Sequence, residues 1–362
     1  MNKKFQITAV AGALVFSLYI LTSSSPLPIP EPSSFKSNDS VLILAENLDS
    51  PRSIAVHEDR IFVTEKKGLV RVIQDGKLLD EPLATLRPAT PFDGGLLGIA
   101  LHPNFSENHL IYVYMTYEED SQLWNKVLQI TESDNKLVDA KIIFDKIPGS
   151  SFTNGGFLKF GPDDKLYVGT GTVSDSSHLP QNLNSLSGKI LRLNHDGSIP
   201  DDNPFSGSPV YALGYRNPQG MAWDNAGNMY LVDLGPEKND EINHIVAGKN
   251  YGWPEQECSG DSKFENAITC YDPSIEPSGI LYYSGNKIDL EEPFIMASLR
   301  ATSLFQLDFD KGLSSQKTIL SGIGRIRDVV EDQNGSIYLI TSNTDGKGFP
   351  DGNDDKLLMI MK

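Results

Sequence analysis

Two arginines open the chemistry of this chain. Arg325 and Arg327 stand two apart in Gly324-Arg325-Ile326-Arg327-Asp328-Val329. On a β-strand that spacing sends both side chains to one face. Two guanidiniums aimed together form a fork suited to carboxylates. The plainer alternative is a pair of exposed arginines on an outer strand. Arg216-Asn217 lies in a second polar turn, Gly214-Tyr215-Arg216-Asn217-Pro218-Gln219-Gly220. Thr153 and Thr172 lie in a third region, Ser151-Phe152-Thr153-Asn154-Gly155-Gly156 and Gly169-Thr170-Gly171-Thr172. A threonine hydroxyl has no useful basicity near neutral pH, so neither is a proton acceptor.

These residues need a scaffold, and the scaffold reads as all-β. Beyond residue 40 no segment keeps a helical apolar period for long. Short β-rich runs recur, each after a Gly, Asn or Asp turn. They centre near Ile61, Tyr112, Tyr167, Tyr230 and Tyr338. The steps are roughly 50 to 60 residues, with a double gap that leaves room for a weaker repeat around Leu299 to Phe309. Gly161-Pro-Asp-Asp-Lys165, Asp224-Asn-Ala-Gly-Asn228 and Glu331-Asp-Gln-Asn-Gly335 are variants of one turn. The period predicts a six-bladed β-propeller of four-stranded blades over residues 41–362. A two-sheet sandwich would not explain so long a period. In a propeller, inner strands line a central channel and the loops at one face build the site.

The chain has 362 residues, 39% hydrophobic and 22% charged, in the globular range. A net charge of −17 excludes nucleic acid and an anionic membrane face as partners of the folded part. Lys3 and Lys4 precede an apolar run from Ile7 to Leu21. Residues 1–25 have the form of an export signal or N-terminal membrane anchor, and 26–40 read as a Pro/Ser-rich linker. Either way the folded part is expected outside the cytoplasm. There the two cysteines, Cys258 and Cys270, are expected to form a disulfide that staples a polar loop, with free surface thiols as the alternative. The acidic stretch Asp345 to Asp355 has calcium-loop composition without EF-hand spacing and reads as a hydrated loop before the last strand.

Several segments together resemble the soluble quinoprotein glucose/sorbosone dehydrogenases. Gly94-Gly95-Leu96-Leu97-Gly98-Ile99-Ala100-Leu101-His102-Pro103 is similar to an early blade motif, and Gln181 to Leu193 to a later one. Asp240-Glu241-Ile242-Asn243 and Asn250-Tyr251-Gly252-Trp253-Pro254 follow in the family's order. The resemblance spans about residues 45 to 360. It implies a calcium- and pyrroloquinoline-quinone-dependent aldose dehydrogenase. Arg216, Asn217, Arg300, Arg325 and Arg327 would then hold the quinone, and the carbonyls of Gly235 and Pro236 would bind calcium. It also implies a catalytic histidine at Thr153 and an orienting aspartate at Thr172, and both are replaced here. Asp93, beside the glycines of the early motif, and His178, on the loop past Thr172, are the substitute bases to consider, with Asp175 behind them. Glu237, Asp240 and Glu241 form an acidic turn that supports metal or loop structure. The competing function is a non-catalytic propeller that binds a sugar, a polymer or a protein through the channel face.

Overall fold

The short strands form a ring because each inner strand packs against those of the blades on both sides. The computed structural model describes residues 41–175, 177–309 and 316–361. The expected export or anchor segment 1–25 and linker 26–40 lie outside them. Six antiparallel sheets carry the chain. The first blade runs from the inner strand Pro51–His57 through Arg60–Glu65 and Leu69–Gln74 to the short edge pieces Lys77–Leu78 and Ala84–Thr85. The second to fifth blades begin with inner strands Leu96–Leu101, Gly155–Phe160, Pro218–Trp223 and Pro277–Tyr282, each followed outward by three strands in chain order. The sixth has three consecutive strands, Ile326–Glu331, Ile337–Thr341 and Leu357–Ile360, and its outer strand is Val41–Ala45. Val41 pairs with Ile360 and Ile43 with Leu358, so the first strand closes the ring against the last. The protein is therefore a six-bladed β-propeller, as the repeat period predicts.

The second strands hold the expected repeat centres, and the weak fifth one is Phe294–Ser298. The stretch around Leu299 to Phe309 instead holds the third strand of that blade, Ser303–Leu307. Strands sandwiched between blades are apolar on both faces: all of Leu166–Thr170 and all of Phe294–Ser298 are buried. Apolar clusters fill the spaces between neighbouring blades. One joins Tyr167 and Ile190 to Met221 and Leu231, and another joins Ile54 and Val63 to Ile340 and Leu357 across the closure. The repeated turn works through its side chains. Asp224 Oδ1 accepts from the backbone N–H groups of Ala226 and Asn228, and Asp332 Oδ1 from those of Asn334 and Ser336. In the last blade the turn is thus Asp332–Ser336, one residue later than its sequence match. Among the described residues no helix is long and apolar enough to cross a membrane. Cys258, on the loop after the fourth blade's third strand, forms a disulfide with Cys270 on its last strand, with Cα atoms 5.9 Å apart.

Candidate active site at the head of the channel

All six inner strands start at the same end of the channel, so their first residues meet there. Arg52, Gly155, Gln219 and Arg327 lie at strand starts, and Asp93, Asn217, Glu276 and Arg325 lie just before them. Loops between second and third strands add Leu234, Leu299 and Lys347. Four cations and two carboxylates, Asp93 and Glu276, line this recess. In a chain of net charge −17 such a local cationic excess is a built feature.

The arginine fork exists, and it lies on an inner strand rather than an outer one. Arg325 and Arg327 are only 7% and 9% exposed. Their guanidiniums converge on Asp345 Oδ2, at 3.1 Å from Arg325 Nη2 and 3.6 Å from Arg327 Nη2. Arg325 Nη2 also donates to Glu276 Oε2 at 3.0 Å. Arg327 Nη1 reaches Gln219 Oε1 at 3.3 Å, and its buried Nε has no partner. Half-buried Arg52 lies beside them, with Asp93 and Asp345 as its nearest opposite charges. Burial pushes the Arg327 guanidinium down to about 9, and Arg52 pushes the same way. Burial also lowers Arg52 and, with Arg52 beside it, Lys66. Burial works to raise the Glu276 and Asp345 carboxyls, but the arginines outweigh it and hold both below the usual range. These cations are crowded and desolvated by burial, and they outnumber the carboxylates that line the recess, which suits it to an anion.

The other expected residues divide. Asn217 lines the recess, and its Oδ1 accepts from the Gly155 N–H at 2.9 Å. Arg216 does not reach it. Asp175 grips its Nε and Nη2 at 2.8 and 3.1 Å, and Nη1 donates to the Leu234 and Gly235 carbonyls at 3.0 and 2.9 Å. Asp175 is thus an ion-pair partner and not a base. Arg300 is half exposed at the mouth and reaches the recess only through Glu276 Oε1, at 2.8 Å. His178 is exposed and lines no part of the recess. Asp93 does line it, 3.9 Å from Lys347 Nζ. The acidic turn is structural: Asp240 accepts from the Gly235, Ile275 and Glu276 N–H groups and the Ser274 hydroxyl. The acidic loop is more than a hydrated connection. Asp345 closes the fork, and buried Asp355 accepts from Thr341, Asn343 and Thr344.

Thr153 and Thr172 are buried beside each other, yet both hydroxyls are spent on backbone. Thr153 Oγ1 donates to the Thr172 carbonyl, and Thr172 Oγ1 donates to the Ser174 carbonyl at 2.9 Å. Neither lines the recess. Thr153 also has a φ of 55°, a left-handed conformation that a β-branched residue adopts under strain.

Arg52, Glu276 and Asp345 stand outside the residues expected from the sequence. The repeat phase carries the signal for Arg52, which precedes the Ile61 strand much as Arg327 precedes the Tyr338 strand. Glu276 and Asp345 have no such signal, since only the loop paths bring them to the fork.

Asp233 holds the Arg216–Asn217 turn by accepting from both backbone N–H groups, at 2.9 and 2.6 Å. Burial, helped by Glu241, pushes its carboxyl up to about 7. Below about pH 4 the carboxyl is protonated in the folded and unfolded chains alike. Between that pH and 7 the unfolded chain releases the proton and the fold retains it, so this group's contribution to stability falls as pH rises. Asp233→Asn loses an acceptor but cannot ionise. Its melting temperature should lie below that of the parent at pH 5, and the gap should narrow by pH 8. A gap that widens with pH would contradict the assignment.

Comparison with known proteins agrees with this fold. Residues 48–358 match the Glucose / Sorbosone dehydrogenase family. The aldose sugar dehydrogenase YliI of Escherichia coli (strain K12) is 30% identical over 340 residues, covering 85% of this chain and 91% of that protein. Quinoprotein glucose dehydrogenase B of Acinetobacter calcoaceticus is 34% identical over 281 residues, 67% of this chain and 59% of that one. The PQQ-bound aldose sugar dehydrogenase of Streptomyces coelicolor superposes with a TM-score of 0.80 at 34% identity, covering 89% of this chain and 98% of that one. A channel-head recess of buried arginines on a six-bladed ring, matched over nearly its whole length, makes this chain a member of the glucose/sorbosone dehydrogenase family.

Proposed function

We propose that this protein binds pyrroloquinoline quinone in the channel-head recess and acts outside the cytoplasm as a quinoprotein of the aldose dehydrogenase type. The observation that carries the reading is the cation cluster, in which Arg52 and Arg325 crowd Arg327 and the buried Arg327 Nε has no hydrogen-bond partner among the described residues. A planar tricarboxylate fits such a cluster. Arg52, Arg325 and Arg327 would hold its carboxylates, with Asn217 and Gln219 beside them. When bound, the group supplies an ortho-quinone that accepts a hydride from an alcohol carbon of the sugar. This chain's own task is then to orient the sugar and take its hydroxyl proton. Thr153 and Thr172 are unfit for that, and Asp93 is the carboxylate we assign to it. The disulfide supports an oxidising compartment.

Calcium fits the present arrangement poorly. The Gly235 carbonyl already accepts from the Arg216 guanidinium, and Pro236 is exposed. A cation there would face a positive charge. The one cluster of ligand-type side chains among the described residues is Glu241, Cys258 and Cys270, and its sulfurs are joined in the disulfide. We therefore route no step through calcium.

The replaced pair of threonines favours a second reading, a recognition propeller that binds a sugar, polymer or protein at the same face without turnover. Titration with the quinone, with and without calcium and followed by aldoses, separates the two. Binding with sugar-driven bleaching supports the dehydrogenase. Binding without bleaching supports a protein stalled at proton transfer. No binding removes the quinoprotein reading and leaves recognition.

A further inference from the structure

Two phenylalanines at the mouth of the recess are left unused by everything above. Phe92 and Phe152 are 69% and 50% exposed. Their rings nevertheless stack, with centroids 4.6 Å apart and planes 18° from parallel. They come from different loops. Phe92 lies on the loop from the first blade to the second, and Phe152 on the loop from the second to the third. The Asp93 N–H donates to the Ser151 carbonyl at 2.9 Å, which ties the loops together beneath the rings. Lys66 Nζ donates to the Phe92 carbonyl and Ser150 Oγ to the Phe152 carbonyl. Each ring stands within two residues of a recess-lining group, Asp93 and Asn154.

Scattered exposed apolar residues need no explanation, but a paired aromatic face at a site does. These rings belong to none of the clusters between blades, so packing the ring of blades does not require them. The chemistry beside them is polar. Asp93 and Lys347 are both partly exposed and 3.9 Å apart, so they offer acceptors and donors side by side. A pyranose has the complementary form, with an apolar C–H face and a rim of hydroxyl groups. Two rings are too small for a protein interface, and a chain of net charge −17 is repelled by an anionic membrane.

We propose that Phe92 and Phe152 form a sugar-stacking subsite at the mouth, which takes the second ring of an oligosaccharide whose terminal aldose reaches the recess. The inference rests on the reading of the channel face as an aldose site. It makes the preferred substrate an oligosaccharide rather than a free monosaccharide.

The test is calorimetric titration of the full chain, without quinone, using glucose, maltotriose and cellotriose. At least one trisaccharide should bind about tenfold tighter than glucose, and the Phe92→Ala/Phe152→Ala double variant should lose that advantage. Its melting temperature and its quinone titration should match the parent. Equal trisaccharide affinity in parent and variant would overturn the subsite, and so would the absence of any trisaccharide binding. Failure of the quinone titration alone, with trisaccharide binding still dependent on the two rings, would end the enzyme reading and leave the subsite in place.

Discussion

Replacing Arg327 with methionine is expected to weaken binding of pyrroloquinoline quinone by about 10- to 100-fold, as loss of a buried charge-assisted hydrogen bond should. The same change should leave the unliganded protein at least as stable. Arg327 contributes little to the empty fold. Its Nε bonds to nothing, its bond to Gln219 is long at 3.3 Å, and Asp345 keeps its closer partner Arg325. Burial and the charge of Arg52 both disfavour its protonated form. Methionine retains the apolar stem and removes a charge that is costly to bury. A site held at the expense of stability is the expected signature of function. A lower melting temperature with unchanged quinone affinity would make Arg327 structural and sink the assignment. Arg325 is the contrasting case. It bridges Glu276 and Asp345, and its removal would leave Glu276 to Arg300 and Asp345 to the longer Arg327 contact.

In an Asp93→Asn background, the double substitution Thr153→His, Thr172→Asp should raise aldose oxidation in the quinone-loaded protein by about 10²–10⁴-fold, the usual contribution of a general base. The two positions are already adjacent through the Thr153 hydroxyl and the Thr172 carbonyl. Histidine also suits the φ of 55° at position 153 better than a β-branched residue. Thr172→Asp alone should destabilise the fold, because a buried carboxylate would face the Ser174 carbonyl that now accepts from the threonine. With the imidazole present that carboxylate gains a partner, so the two changes should be strongly non-additive. Rates of dye reduction and melting temperatures of the four proteins test this. No gain in a variant that binds quinone normally would mean that the recess no longer positions a sugar, and would favour recognition over catalysis.

Much of the fold was legible in advance because a propeller repeats itself. Each blade must supply one strand apolar on both faces, and those runs are the peaks at Ile61, Tyr112, Tyr167, Tyr230 and Tyr338. The fifth blade was blurred because Phe294–Ser298 is not preceded by the Asp turn. The site was less legible. A strand's alternation predicted that Arg325 and Arg327 point together, but nothing local reveals where a neighbouring loop sends a competing charge. Arg216 is drawn to Asp175, 41 residues away in sequence, and to two carbonyls of the next loop. The family resemblance implied a place for it in the site, and the fold pairs it elsewhere.

The sequence by itself determined the six-bladed ring, the family and the arginine fork, because the repeat period, the order of the motifs and the two-residue alternation of a strand are all properties of the linear chain. Only the tertiary structure decided the composition of the recess. Arg52 and Arg327 come from opposite ends of the chain and meet because the first strand closes the last blade. Asp345 and Glu276 take their roles from loops whose paths depend on the whole ring. A charge acts over distance through space rather than along the chain, so a cluster built from six strand starts exists only once the circle is closed.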